Sequence, residues 1–162
     1  AFLARALDWR AAFLAMTAVA THCIHLQPGD STLTTPHEIH GAFSWFELTT
    51  SDPKSARGFY GKLLDWQFQD MDMGPSGTYT VINVGNQGVG GIAGLPPNAK
   101  GMPPAWGAYV TVKDVDEVVA KVAGLGGQVL MPPTDIPTVG RFATIRDPQG
   151  ATLSLITYAM KS

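Results

Sequence analysis

The feature that most constrains this chain is an internal repeat: shifted by 62 positions without a gap, its middle aligns with its C-terminal part. Thr49 then falls on Thr111, Asp52 on Asp114 and Leu63 on Leu125. Further on, Pro75 falls on Pro137, Gln87 on Gln149 and Gly88 on Gly150. Self-similarity of this kind means one supersecondary unit used twice, so each copy has to make physical sense element by element.

Both copies do. Each opens on a strand, over residues 43–50 and 106–112. In the second, Ala108, Val110 and Val112 alternate with Gly107, Tyr109 and Thr111, a period of two with one apolar face. In the first, Phe46 and Leu48 take the apolar face, and Trp45, Glu47 and Thr49 take the other. Asp52 and Asp114 follow, placed to cap a helix, and Pro53 stands at a first helical position where its missing N–H is not needed. Helical spacing comes next: Ala56, Phe59, Tyr60 and Leu63 in one copy, Val118, Val119, Val122 and Leu125 in the other. Gly124, Gly126 and Gly127 end the second helix. Three short strands complete each copy, around residues 66–71, 79–84 and 89–95, then 128–131, 141–146 and 151–158. Residues 85–91 read as a hairpin turn, and the Pro- and Gly-rich stretch 96–104 joins the copies. The fold class is α+β, two βαβββ modules, with Phe59, Tyr60 and Trp66 as core.

Composition bounds the partners. A chain of 162 residues, 45% apolar and 15% charged, suits one folded domain. A net charge of −2 with interspersed signs lacks the basic stripe of a nucleic-acid binder. No run reaches the roughly 20 apolar residues that span a bilayer, so no membrane partner is expected. The single Cys23 leaves no internal disulfide and fits a reducing, cytoplasmic setting. Residues 1–40 stand apart from the repeat. There, Arg10 and the apolar stretch ending Ala18-Val19-Ala20 fit an export signal; residues 2–19 also fit an amphipathic helix packing on the domain or a partner, which Asp8 favours. Residues 28–40 read as a linker.

The stretch HGAFSWFELTTSDPKSARGFYGKLLDW resembles the opening of a module of the vicinal-oxygen-chelate superfamily, the glyoxalase, bleomycin-resistance and extradiol dioxygenase group. GGQVLMPPTDIPTVGRFATIRDPQGATLSLI resembles the close of such a module, with its DPQG turn. The domain is expected over 41–160, with module one at 41–95, the linker at 96–104 and module two at 105–158. The resemblance implies a cup-shaped mixed sheet with helices outside and a ligand cavity inside. The family includes metal enzymes and metal-free drug binders, so function has to be argued from the site.

The resemblance also implies metal-ligand positions on the first and last strands of each module: Trp45 and Gly107, then Ile92 and Ser154. An indole, a hydrogen, an alkyl group and a hydroxyl are no ligand set for a divalent cation, so neither metal nor cofactor is expected. His22, Cys23, His25, His37 and His40 fall outside the repeat and read as linker residues. Strand parity turns Glu47 into the cup, as an ion-pair partner (for instance of Arg141), a ligand-binding group or a base with a raised pKa. It is the one catalytic candidate. No nucleophile elbow or phosphate-binding loop is present.

The candidate ligand-binding set is Trp45, Glu47, Tyr79, Trp106, Tyr109, Arg141 and Ser154, with Tyr79 and Arg141 matched across the repeat. Aromatic walls with a carboxylate and a guanidinium suit a small organic molecule, planar or cationic. A metal-independent enzyme using Glu47, a glyoxalase-like lyase with displaced ligands, and an interaction module that joins a partner or forms a homodimer are the competing readings.

Overall fold

A computed structural model describes residues 35–73, 77–95 and 101–159. The chain runs β1 (Phe43–Thr50), α1 (Pro53–Leu64), β2 (Gln67–Asp72), β3 (Thr78–Val84) and β4 (Gln87–Gly94). It continues with β5 (Ala105–Thr111), α2 (Val115–Val122), a 3₁₀ turn (Ala123–Leu125), β6 (Gln128–Ile136), β7 (Gly140–Arg146) and β8 (Thr152–Tyr158). The eight strands form one unclosed mixed sheet, in the order β2-β3-β4-β1-β5-β8-β7-β6. Within each half the first and last strands are parallel, β1 with β4 and β5 with β8. The halves meet where β1 and β5 pair antiparallel. This is the expected α+β class. Among the described residues no helix is long and apolar enough to cross a membrane.

The helices start where the aspartates place them. Asp52 accepts the Ser55 N–H at 3.0 Å, with Pro53 following in the first turn; Asp114 accepts the Glu117 N–H at 2.9 Å. Each cap satisfies a donor that the first turn leaves over, worth about 1 kcal/mol. Gly126, at φ 82°, takes the left-handed position after the 3₁₀ turn.

Both helices pack on one face of the sheet. Leu48, Ile82 and Ile92 lie buried there in the first half, and Val110, Val112, Val115, Ala143 and Leu155 in the second. Tyr60 and Trp66 pack against the first cluster, their ring centroids 5.7 Å apart. Phe59, expected in the core, is 60% exposed, as is Leu63. The helical stripe of α1 is wider than the surface it covers.

Three further expectations need correcting. β6 does not stop at Met131 but continues through Pro132 and Pro133 to Ile136. It is an edge strand, and both prolines fall in the register shift between Met131 and Thr134, where neither occupies a paired position. β4 starts at Gln87, so the hairpin turn is confined to Gly85 and Asn86. The third concerns the offset. Glu47 pairs with Gly91 and Tyr109 with Ser154, so β1 relates to β5 by 62 positions but β4 to β8 by 63. Register shifts in β6, between Val129 and Met131 and between Met131 and Thr134, lengthen that strand against β7. A one-residue slip turns a side chain to the other face. The counterpart of Tyr79 is therefore Phe142 rather than Arg141, and that of Ser154 is Gly91 rather than Ile92. The expected N-terminal helix or signal, and His22, Cys23 and His25, lie outside the described residues.

Candidate functional site

Strand alternation puts Trp45 and Glu47 of β1 and Tyr109 of β5 on the face away from the helices, where Tyr79 of β3 joins them. Glu47 Oε2 accepts the Tyr79 hydroxyl at 3.0 Å, and Oε1 accepts the Tyr109 hydroxyl at 3.2 Å. Trp45 Nε1–H donates to the Tyr79 oxygen at 2.9 Å. The Ser154 hydroxyl hydrogen-bonds the Tyr109 oxygen, and its Oγ lies 3.0 Å from Thr144 Oγ. One hydrogen-bonded chain thus crosses the middle of the sheet from Trp45 to Thr144. Gly91 in β4 makes room for it. A Cβ at Gly91 would strike the Tyr79 phenol, and one at Gly88 would lie 3.5 Å from the Trp45 ring.

Burial holds the Glu47 carboxyl above the ordinary glutamate value of 4.5, against the lowering pull of the two phenol hydrogen bonds. The same burial, and the neighbouring carboxylate, push both tyrosines upward, so they remain hydroxyl donors at neutral pH. Among the described residues no ion pair reaches Glu47; the cations that do pair are Arg57, Lys121 and Arg141, all elsewhere. A carboxylate has roughly four acceptor positions, and these phenols take two. The group can accept a donor or a cation from a ligand, or hold a proton.

Of the seven candidate residues the structure brings together Trp45, Glu47, Tyr79, Tyr109 and Ser154. Arg141 points the other way: Nε lies 2.7 Å from Asp116 on α2 and Nη1 2.8 Å from Asp135. Glu47 is therefore not its ion-pair partner. Trp106 also faces the helices, donating from Nε1 to the Tyr60 hydroxyl at 3.1 Å. With Phe46 and Trp66 it lines an apolar hollow of about 290 Å³. His37 packs against Tyr158 at a 4.5 Å centroid distance, and His40 Nδ1 accepts the Lys113 N–H at 3.1 Å. Both border a groove of about 940 Å³. Glu47 lines neither hollow. Reading the residues alone missed Phe142 and Thr144, which β7 places on the site face, and Gly91; the signal lay in the bulged register of β6.

With the register corrected, the positions at which the family's ligands are expected hold Trp45, Gly91, Gly107 and Ser154. These offer no imidazole, thiolate or carboxylate, and do not fit a divalent cation. Among the described residues no three His, Cys, Asp or Glu side chains gather into a metal-holding group.

Residues 42–155 match the profile of the Glyoxalase/Bleomycin resistance protein/Dioxygenase superfamily. CFP32 of Mycobacterium tuberculosis, which carries a glyoxylase name, is 43% identical over 117 residues, 71% of this chain and 45% of that protein. The anthracycline biosynthesis protein DnrV of Streptomyces peucetius is 29% identical over 127 residues, 71% of this chain and 46% of that protein. The chain spans about half the length of these relatives. Among solved structures, methylmalonyl-CoA epimerase from M. tuberculosis shares the fold at a TM-score of 0.55 and 14% identity, over 81% of this chain and 95% of the epimerase.

Proposed function

The chain belongs to the glyoxalase/bleomycin resistance protein/dioxygenase superfamily, and we propose that this domain binds a small organic molecule on its helix-free face without a metal at the family's ligand positions. The observation that supports this most is Glu47. It is a largely desolvated carboxylate held by two phenols, with no cation paired to it among the described residues, on the face where the family's ligand is expected. Burying such a charge is costly unless something compensates it. A ligand bringing an N–H, O–H or ammonium group would supply the compensation, and Trp45, Tyr79 and Tyr109 supply aromatic surface around it. The family's link to small organic molecules extends to DnrV, whose name places it in anthracycline biosynthesis.

The raised carboxyl favours a second reading, in which Glu47 takes a proton from the bound molecule as a general base. Binding comes first in either case.

A thermal-shift screen of small aromatic and cationic compounds tests the proposal, since a ligand of the native state raises the unfolding midpoint. Hits should lose their effect in Glu47→Gln, a variant of nearly unchanged shape that should still fold. Hits indifferent to that change, or a Glu47→Gln protein that no longer folds, would show Glu47 to be structural. Elemental analysis of tag-free, dialysed protein should find no stoichiometric divalent ion. About one zinc, nickel, manganese or iron per chain would overturn the metal-free reading.

A further inference from the structure

Two glycines flank Glu47 on its neighbouring strands, Gly91 on β4 and Gly107 on β5. The fold treats them differently. A Cβ at Gly91 would collide with Tyr79, whose phenol lies across that glycine and donates to Glu47. A Cβ at Gly107 would meet only the Glu47 main-chain oxygen, at 3.9 Å, an ordinary contact. Gly107 has no positive φ and is exposed. Neither backbone conformation nor packing therefore asks for glycine there, although glycine inside a strand weakens it. What glycine does provide is bare backbone beside a carboxylate that has acceptor capacity to spare and, among the described residues, no cation.

We propose that Gly107 floors a subsite for a planar aromatic ring that donates an O–H or N–H to Glu47. The ligand ring takes on the β5 side the place that Tyr79 takes on the β4 side. The chemistry is complementary: a carboxylate acceptor meets a donor, and the ring covers main chain that is exposed among the described residues. This rests on reading Glu47 as a ligand-binding group, and it adds where the ligand lies and which chemistry it carries.

The test is an amide-resolved NMR titration of ¹⁵N-labelled protein with 4-methylphenol, the tyrosine side chain as a free molecule. A second titration uses 4-methylanisole, which has the same ring and oxygen but no hydrogen to donate. With 4-methylphenol the Gly107 amide and its strand neighbours should shift and saturate. The anisole should bind about tenfold more weakly or worse, as expected when a hydrogen bond to a charged group is lost. Gly107→Val should weaken 4-methylphenol by a similar factor while keeping a folded spectrum, and Gly107→Ala by less. If the valine does not fold, the alanine alone decides.

The absence of any Gly107 shift in the wild type, equal affinity for the two probes, or undiminished binding by the folded Gly107 variants would each overturn the subsite. Binding that Glu47→Gln weakens but Gly107→Val leaves intact would remove the subsite and keep the proposed function. A thermal-shift screen with no Glu47-dependent hit would remove both.

Discussion

The two halves share one order of elements yet bury their helices differently. In α2, Val115 is 1% exposed and Val122 7%; in α1 no residue is buried, and Phe59 and Leu63 are each 60% exposed. The more loosely covered half nevertheless supplies Trp45, Glu47 and Tyr79. The glycines of β4 connect these facts. On the site face, Gly91 makes space for the Tyr79 phenol. On the helix face, Gly90 lies so close to the Phe46 main-chain oxygen that no Cβ would fit, and it offers α1 nothing to pack on. The adjacent Gly90 and Gly91 thus leave β4 bare on both faces, the first because of the neighbouring strand and the second because of Tyr79. The aromatic cluster of Tyr60, Trp66 and Trp106 covers part of the gap.

If the halves differ in this way, equivalent core truncations should differ too. Ile92 is fully buried and Leu155 is 4% exposed. Either, cut to alanine, should cost about 2–5 kcal/mol, depending on how far the surroundings collapse. Leu155→Ala, in the closely packed half, should sit at the upper end. Ile92→Ala, near the apolar hollow under Trp66 and Trp106, should sit lower. Urea unfolding of both variants checks the order, and a reversed order would break the comparison.

A smaller effect separates the two flanks of Glu47. Gly91→Ala drives a methyl into the Tyr79 phenol and should cost about 1–3 kcal/mol, as overpacking does. Gly107→Ala meets nothing closer than 3.9 Å and should be neutral or stabilise by up to about 1 kcal/mol, since alanine loses less chain freedom in the strand. Thermal denaturation of the pair measures a difference in sign. Equal losses would mean that Gly107 is packed as closely as Gly91.

How much of this was legible follows from which signals are local. Asp52, Pro53 and Asp114 mark the helix starts because capping depends on neighbours a few positions away. Alternation in β1 and β5 placed Trp45, Glu47 and Tyr109 on one face, because parity inside an unbroken strand is also local. Arg141 was misplaced because its facing depended on counting across β6, and shifts around Leu130 and the Pro132-Pro133 pair are invisible to a gapless offset. The identities Gln87/Gln149 and Gly88/Gly150 share that fault: the first residues begin β4, whereas the second lie in the turn before β8. Phe59 failed for another reason. Period shows which way a helical residue points, not whether the sheet beneath is wide enough to cover it.

Charge offers a subtler contrast between the site and the helix face. Burial raises the pKa of the Glu47 carboxyl, so the folded protein holds that proton more firmly than the unfolded chain does. A raised acid stabilises the fold below its unfolded value, near 4.5, and that contribution is lost as pH rises through the higher folded value. Wild type should therefore lose stability relative to Glu47→Gln over the interval just above pH 4.5. Asp116 behaves in the opposite way: Arg141 lowers its pKa, so its contribution is lost as pH falls through that lowered value. Stability–pH curves for wild type, Glu47→Gln and Asp116→Asn should diverge in opposite directions. A flat difference for Glu47→Gln would mean that the carboxyl is well solvated.

The smallest expected effect falls on the exposed face of α1. Surface substitutions that disturb no cap, cavity or buried group usually change stability by less than about 0.5 kcal/mol. Phe59 and Leu63 project from a helix whose start is fixed by Asp52 and Pro53, and neither belongs to the first half's core cluster. Leu63→Gln keeps a good helix former and removes an exposed apolar group, so its unfolding midpoint should stay within that margin. Phe59→Gln carries one added risk, because its ring meets Tyr60 edge-on with centroids 5.0 Å apart. An aromatic pair of that geometry contributes about 0.5–1.5 kcal/mol at most, and less where one ring is largely in water. Denaturant titrations of both variants at several protein concentrations make the measurement. Losses of a core-like size, or a loss that grows with concentration, would show that this face is covered in solution and that the two helices are buried alike after all.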